Sequence, residues 1–580
     1  MDNNVIREKK FIDYYDGFKE KKTILPNVNE YDFLLERNNN NMSDTALSFM
    51  NKKITYEELH ERIDEYARAL YKRGVRQGDT IGICVANTPE SVYLIYALNK
   101  LGAIIVGLSP LNNEYKMRRD IELTNPKMII AIDMMYPVLK NTVNELNIDT
   151  ILFSPLNSCE NKLVKLIYNS KQFISGNRFL NKNKNLERIY QSNKDNTETV
   201  YPIHENGKCT NIMFTGGSSG VHKGVKLDGN GLNSVVKALD NVLLLEPGMV
   251  HLGNIPFGHM CFGRLVLHYS LCKNLEYALT LKAMPNDFLD ELIRTNANGA
   301  MGGPIHWEAL IENPKLEKNS LGELIQPLSG GEMFKPKKQE QANMALKYAG
   351  CKYEIGNGLG LTEMWAPTHV CVGGINTSGT IGFPIPFVDA KIVDPNTFED
   401  VQDLETGLLL VKGPGMMLGY LNNEKETKEA FYYDANGDKW YNTKDLAKKM
   451  PNGEYVYIGR KKRNFVSNVD NIYPEQIEQL LLQIPEIREV VVTPIPDEFE
   501  QFLPKYNISL YNFECDKSML EYRINQIIKN TLGDSALPGY IEYYAEPLPR
   551  TDNGKLDTNL LCNNDLEQFN NNKIVRTRYR

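Results

Sequence analysis

Residues 210–227, TNIMFTGGSSGVHKGVKL, carry glycines, hydroxyls and a lysine in the order that phosphate binding asks for. A short apolar run, residues 211–214, leads into Thr215, Gly216, Gly217, Ser218, Ser219 and Gly220, with His222, Lys223 and Gly224 following. Glycines let a backbone turn tightly and bring its N–H groups close to an anion. The hydroxyls of Thr215, Ser218 and Ser219 and the ammonium of Lys223 add donors for phosphate oxygens. This is not the loop of the P-loop ATPases, which closes on Gly-Lys-Ser/Thr; here His222 precedes the lysine and Gly224 follows it. Taken alone, such a string also fits a flexible surface loop. Two further cationic features share that ambiguity. Arg460, Lys461, Lys462 and Arg463 form a basic run that would equally suit a solvated turn. Lys555 follows the turn-prone TDNG on a segment able to swing, yet a lone lysine is usually a surface residue.

Positioning such groups takes rigid elements on either side. Between residues 79 and 133, strand-like runs alternate with helix-like stretches: TIGICVA, PESVYLIYALNKLG, AIIVGLSP and later KMIIAID. That rhythm implies βαβ units on a mostly parallel sheet. A second α/β pattern runs to Ile458, and from Tyr473 onward EIREVVVTPIP and LEYRINQIIKN supply signals for a small α+β domain. Residues 157–206, rich in Asn, Lys and Ser, read as an insertion or a mobile surface loop with disorder open. The expected fold class is α/β. A large N-terminal domain of sheet-bearing lobes, residues 1–459, is joined by the basic hinge to a small α+β C-terminal cap domain, residues 460–580.

A chain of 580 residues exceeds what one hydrophobic core holds, in line with several lobes. The formal net charge of -7 argues against a nucleic-acid partner, which needs a concentrated basic face. Nine cysteines include no Cys-x-x-Cys pair, and their odd number suggests no disulfide framework. A reducing cytoplasm suits them. The start, MDNNVIREKK, lacks the apolar core of a signal peptide, and no run approaches the ~18 apolar residues that cross a bilayer. A soluble cytoplasmic protein with no membrane span is expected.

In order along the chain, the segments resemble the adenylate-forming superfamily of acyl-CoA synthetases, peptide-synthetase adenylation domains and firefly luciferase. The family's loop, Thr-Ser-Gly-Thr-Thr-Gly-x-Pro-Lys-Gly, is matched at Thr215, Gly217, Gly220, Lys223 and Gly224, and conservatively at Ser218 and Ser219. It is not matched at Gly216 or His222. ITYEELHERIDEYARALYKRGVRQGDTIGICVANTPE (54–90) resembles the family's N-terminal signature, and IPFGHMCFG (255–263) its Pro-x-x-His segment. SGGEMF (329–334) and GNGLGLTE (356–363) resemble the two adenine-holding segments. WYNTKDLAKK with NGEYVYIGRKKR (440–463) resembles the ribose and hinge region, and LPRTDNGKLD (548–557) the C-terminal lysine loop.

The resemblance implies ATP-dependent activation of a small carboxylic acid to an acyl-adenylate with release of pyrophosphate. A thiol of coenzyme A or of a phosphopantetheine carrier protein would then accept the acyl group. Lys555 would bridge the carboxylate and the α-phosphate, with Lys223 and Thr215 as further catalytic groups. The nucleotide would also meet Gly217, Ser218, Ser219 and Gly220, then Gly330, Gly331 and Glu332, then Leu359, Gly360 and Thr362. Asp445 and Arg460 would take the ribose, the carboxylate accepting from both hydroxyls. Glu363 would hold Mg2+, a hard cation that prefers oxygen ligands and phosphate company. The acyl substrate would meet His259, Gly302, Gly303 and Gly358. Plainer readings stand beside these: a helix-terminal carboxylate for Asp445, a solvated charge for Arg460, a buried hydrogen-bonded histidine for His259.

Three departures from the family pattern bear on function. Leu359 stands where an aromatic residue usually stacks on adenine, Val469 where a glycine is usual, and Arg463 where an aspartate is usual. The last two lie on the hinge and on the loop of residues 467–471 that serves the second half-reaction, so thioester formation is more exposed to these changes than adenylation. Two other functions compete. A stand-alone amino-acid-activating enzyme usually has an aspartate near the His259 segment, and PFGHMCFG has none. A non-catalytic nucleotide-binding derivative should first lose its charges, whereas Lys223, Glu363, Asp445, Arg460 and Lys555 are all present.

Overall fold

The computed structural model describes residues 25–174, 185–195, 197–215, 223–240, 242–332, 334, 336–371, 379–460, 463, 465–467, 470–497, 501–551, 556–558 and 560–562. The βαβ rhythm becomes four parallel neighbours, Ile104–Gly107, Thr80–Cys84, Met128–Ile132 and Asp149–Phe153, in that spatial order. Helix Pro89–Lys100 crosses between the first two strands in sequence. Thr88 caps it, Pro89 opens it, and its residues are buried almost throughout. A helix buried on nearly every side belongs inside a layered core. The antiparallel hairpin of Asn211–Thr215 and Lys223–Leu227 extends this sheet, and Gly419–Tyr420 forms its far edge.

A second sheet runs Phe383–Pro384, Ala366–Val370, Gly356–Leu361, Gln326–Ser329, Gly299–Gly302, Val250–Gly253, Glu276–Leu279, Thr45–Phe49 and Lys52–Thr55. A third, antiparallel sheet contains Asp389–Val393, Gly407–Lys412, Lys439–Lys449, Phe431–Tyr433 and Tyr455–Arg460. One continuous apolar core reaches from Tyr31 to Tyr455. A separate core, Phe465 to Ala536, belongs to the small C-terminal domain. There strands Ile487–Asp497, Gln501–Leu510 and Tyr540–Tyr544 pack with helices Pro474–Leu481 and Lys517–Leu532. The α/β class with a small sheet-bearing C-terminal domain is therefore the observed fold.

Within residues 157–206 the described residues include two helices, Lys162–Ile174 and Leu186–Asn193, while residues 175–184 and 196 lie outside the described residues. Leu186, Ile189 and Tyr190 are buried, and the Tyr190 ring sits 5.0 Å from Tyr66 on helix Tyr56–Lys72. Spacings of i, i+3 and i+4 put those three apolar groups on one face, which is enough to dock a short helix. No described helix is long and apolar enough to cross a membrane. The nine cysteines are free thiols.

Candidate active site

In open α/β sheets, ligands collect beyond the carboxyl ends of parallel strands. Strands Val250–Gly253, Gly299–Gly302, Gln326–Ser329 and Gly356–Leu361 are such neighbours, all parallel. Their ends bring three expected glycine segments together. The Gly330 amide donates to the Gly302 carbonyl at 3.1 Å. A Cβ built on Gly303 would stand 3.8 Å from the Gly330 carbonyl oxygen, and one on Gly330 3.9 Å from that of Gly358. At Gly302 the same atom would meet His306 Cβ at 2.9 Å, so only a bare backbone fits there. Gly331 turns with φ +89°, which leaves Glu332 exposed beyond the strand end. Gly360 follows on strand Gly356–Leu361 and Thr362 opens the short helical turn after it, its carbonyl receiving the Cys261 thiol at 3.9 Å.

His259 lies where the two large sheets meet. A Cβ on Gly107 would come within 2.8 Å of His259 Cα and 2.9 Å of Met213 Sδ, so the glycine admits this loop. The loop is held from behind by the fully buried Arg264, whose Nε donates to the Phe257 carbonyl and whose Nη1 donates to Asn211 Oδ1, each at 3.1 Å. Burial pushes the His259 imidazole down to about 4, so it is neutral at physiological pH. Its Nδ1 is buried without a hydrogen-bond partner. An unpaired ring nitrogen is also found on the core histidines His60, His251 and His369.

Thr215 and Lys223 face each other as paired residues at the mouth of the hairpin. Gly216, Gly217, Ser218, Ser219, Gly220 and His222 lie outside the described residues, as do Lys555 and Val469. Lys223 forms an ion pair with Glu426 and stands 4.8 Å above the Tyr420 ring. The Tyr420 hydroxyl donates to Glu363 Oε1 at 2.8 Å, and Tyr441 lies 3.5 Å from that hydroxyl. Lysine, carboxylate and two phenols thus form one linked group. Sequence reading missed Tyr420, Tyr441 and Glu426. They stand in GYLNNEKET and KWYNTKD, and only the pairing of Gly419–Tyr420 with Lys223–Leu227 carries the first toward the loop. Among the described residues no group of three His, Cys, Asp or Glu could cage a metal ion. Mg2+ is commonly held by one or two carboxylates plus substrate phosphates, so a lone carboxylate such as Glu363 is compatible with it.

Asp445 occupies a local irregularity of strand Lys439–Lys449. Asn442 Oδ1 accepts the Lys444 amide and Thr443 Oγ1 accepts the Asp445 amide, each at 3.0 Å, while Lys444 takes φ +61°. Such side-chain turns let the backbone leave the ladder. The Asp445 carboxylate ends up fully buried, 2.8 Å from Arg460 Nε, yet neither oxygen receives a hydrogen bond. Burial raises its pKa to about 7 against the pull of Arg460, and Glu363 and Glu475 push the same way. Arg460 ends strand Tyr455–Arg460 directly opposite Asp445, so the pair is set by register. Leu359 is half-buried on strand Gly356–Leu361.

Arg463 is engaged quite differently. It donates to Glu475 at 3.1 Å, to both oxygens of Glu478, and to the Val492 carbonyl at 3.3 Å. Glu475 also accepts the Arg460 amide at 3.3 Å, so it bridges the end of the large domain and the first helix of the small one.

The family model for AMP-binding enzymes matches residues 34–421. The chain is 26% identical over 520 residues to a long-chain-fatty-acid–CoA ligase of Bacillus subtilis (strain 168), covering 88% of this chain and 90% of that protein. It is 25% identical over 515 residues to luciferin 4-monooxygenase of Photuris pensylvanica, covering 88% and 89%. The ATP-bound structure of MatB from Rhodopseudomonas palustris has the same fold, with TM-score 0.79 at 20% identity, covering 93% of this chain and 99% of that one. Sheet order, the hairpin around the glycine loop and these matches agree: the chain belongs to the AMP-binding enzyme family, the adenylate-forming ligases.

Proposed function

We propose that the protein adenylates a carboxylic acid with ATP and passes the acyl group to a thiol of coenzyme A or a carrier protein. The observation that carries this reading is Asp445, a buried carboxylate ion-paired with Arg460 through one oxygen and without an aligned hydrogen bond at either. Two vicinal hydroxyls of a ribose would satisfy it. In the reaction, a carboxylate oxygen of the acid attacks the α-phosphorus and the bond to pyrophosphate breaks. Most of the acceleration comes from position and charge neutralisation. Lys223 and the hairpin loop would take the phosphates, and Lys555 the charge developing at the α-phosphate. Glu363, held by Tyr420, would be the protein's ligand to Mg2+, which supplies charge neutralisation on the phosphates when bound. The neutral His259 would face the acid at the junction of the sheets. An acid without an α-ammonium group fits best, because the PFGHMCFG segment offers no carboxylate to pair with one.

The test is ATP–pyrophosphate exchange over a panel of aliphatic, aryl and amino acids. Exchange with one class of acid, lowered ~10²-fold or more by Lys555→Ala with far less change in ATP affinity, is expected. Full exchange in that variant would remove Lys555 from the mechanism. Binding of ATP without exchange for any acid would leave only a nucleotide-binding protein.

A further inference from the structure

Helix Lys162–Ile174 carries an apolar stripe turned to water. Leu163 is 63% exposed, Leu166 62% and Ile167 50%. At 3.6 residues per turn these share one face, and Lys162 and Lys171 flank it on opposite sides. The other face is tethered to the protein: Lys165 Nζ donates to the Asn157 carbonyl at 2.8 Å, and the Tyr168 hydroxyl donates to the Asp133 carboxylate. The helix is thus fixed in an orientation that presents its apolar side outward. It contains three lysines and no acidic residue, in a chain whose formal net charge is -7.

We propose that this helix docks the protein onto the surface of an anionic bilayer, lying in the headgroup plane with Leu163, Leu166 and Ile167 toward the acyl chains. An apolar stripe edged by lysines suits that boundary, where apolar burial and attraction to anionic lipid act together. Charge argues against a second copy as the occupant, since docking through the same face would bring the same lysines together. The inference is independent of the catalytic reading.

The full chain is sedimented with vesicles of equal parts phosphatidylglycerol and phosphatidylcholine, and with phosphatidylcholine alone. The expected result is binding to the first that weakens as salt is raised, and at least ~5-fold less binding to the second. The triple variant Leu163→Ser, Leu166→Ser, Ile167→Ser should lose most of that binding while keeping the melting temperature and ATP–pyrophosphate exchange of the parent. Lys162→Gln with Lys171→Gln should remove most of the salt dependence. No binding to the anionic vesicles, or equal binding by the triple variant, overturns the proposal. So does a lower oligomeric state of the triple variant without lipid, which would give the face to a second copy. A fall in its melting temperature would mean the stripe is covered by the chain itself and would overturn it too.

Discussion

Asp445 and Arg463 are both charged groups taken out of water beside partners of opposite sign, and Glu475 lies next to both constellations. They are finished differently. Arg463 spends its donors on Glu475, Glu478 and the Val492 carbonyl, all within the small domain. Asp445 lies 2.8 Å from the Arg460 Nε, yet neither of its oxygens receives an aligned hydrogen bond. A satisfied network fixes shape, whereas a buried acceptor left open costs stability and keeps binding capacity in reserve. The difference goes beyond burial, which is complete for Asp445 and partial for Arg463.

The strongest way to break this contrast is to cross two variants with two measurements. Asp445→Asn should weaken ATP binding by about 10²-fold, because two hydrogen bonds to a charged acceptor are lost or halved. It should leave the melting temperature unchanged or raised, since a desolvated charge is removed and the half-exposed Arg460 returns to water. Arg463→Ala should do the reverse. Leaving Glu475 and Glu478 unpaired costs roughly 3–5 kcal/mol in comparable buried pairs, while calorimetric ATP affinity should hold within about threefold, since the proposed nucleotide groups other than Lys555 lie outside the small domain. If both variants lose ATP binding equally, the two constellations are one unit and the contrast fails.

Acidity gives a second test, tenfold in scale. Asp445 is held near 7, far above the ordinary 3.8, by burial, with Glu363 and Glu475 adding and Arg460 opposing. Between about pH 4 and 7 the folded chain holds a proton that the unfolded chain has released. This group's contribution to stability therefore falls as pH rises through that window. The ribose role proposed for Asp445 calls for the ionised form, so ATP affinity should move the opposite way, dropping about tenfold per unit below pH 7. Asp445→Asn should flatten both slopes relative to the parent. An ATP affinity with the same pH dependence in parent and variant would assign the titration to another group.

These groups were unequally legible in the sequence. The βαβ rhythm showed because each strand is a local apolar run, and Asp445 was reachable because WYNTKD is contiguous. Tyr420 and Glu426 were not, since what brings them to Lys223 is a strand pairing between distant parts of the chain that no local period encodes. The docked helix Leu186–Asn193 was hidden by the Asn and Lys around three apolar residues. Arg463 read as a lost aspartate; in three dimensions it is the cation that Glu475 and Glu478 require.

The smallest expected effect comes from a surface that uses no charge at all. Leu359 pairs with His369 across strands Gly356–Leu361 and Ala366–Val370 and is half-buried between Gly358 and Gly360. A ring at this position would stack on adenine, for which base stacking offers about 1–3 kcal/mol. Leucine already supplies part of that apolar contact, so the gain from Leu359→Tyr should lie at the low end, about 1 kcal/mol or roughly fivefold in ATP affinity. The pH profile of binding should keep its shape and only its level should move, because a neutral ring leaves Asp445 untouched. Combined with Asp445→Asn, the gain should persist at full size, since distant contacts add. Unchanged or weaker binding by calorimetry would place the adenine on another surface, and a gain that vanishes in the double variant would mean that base and ribose are not held independently.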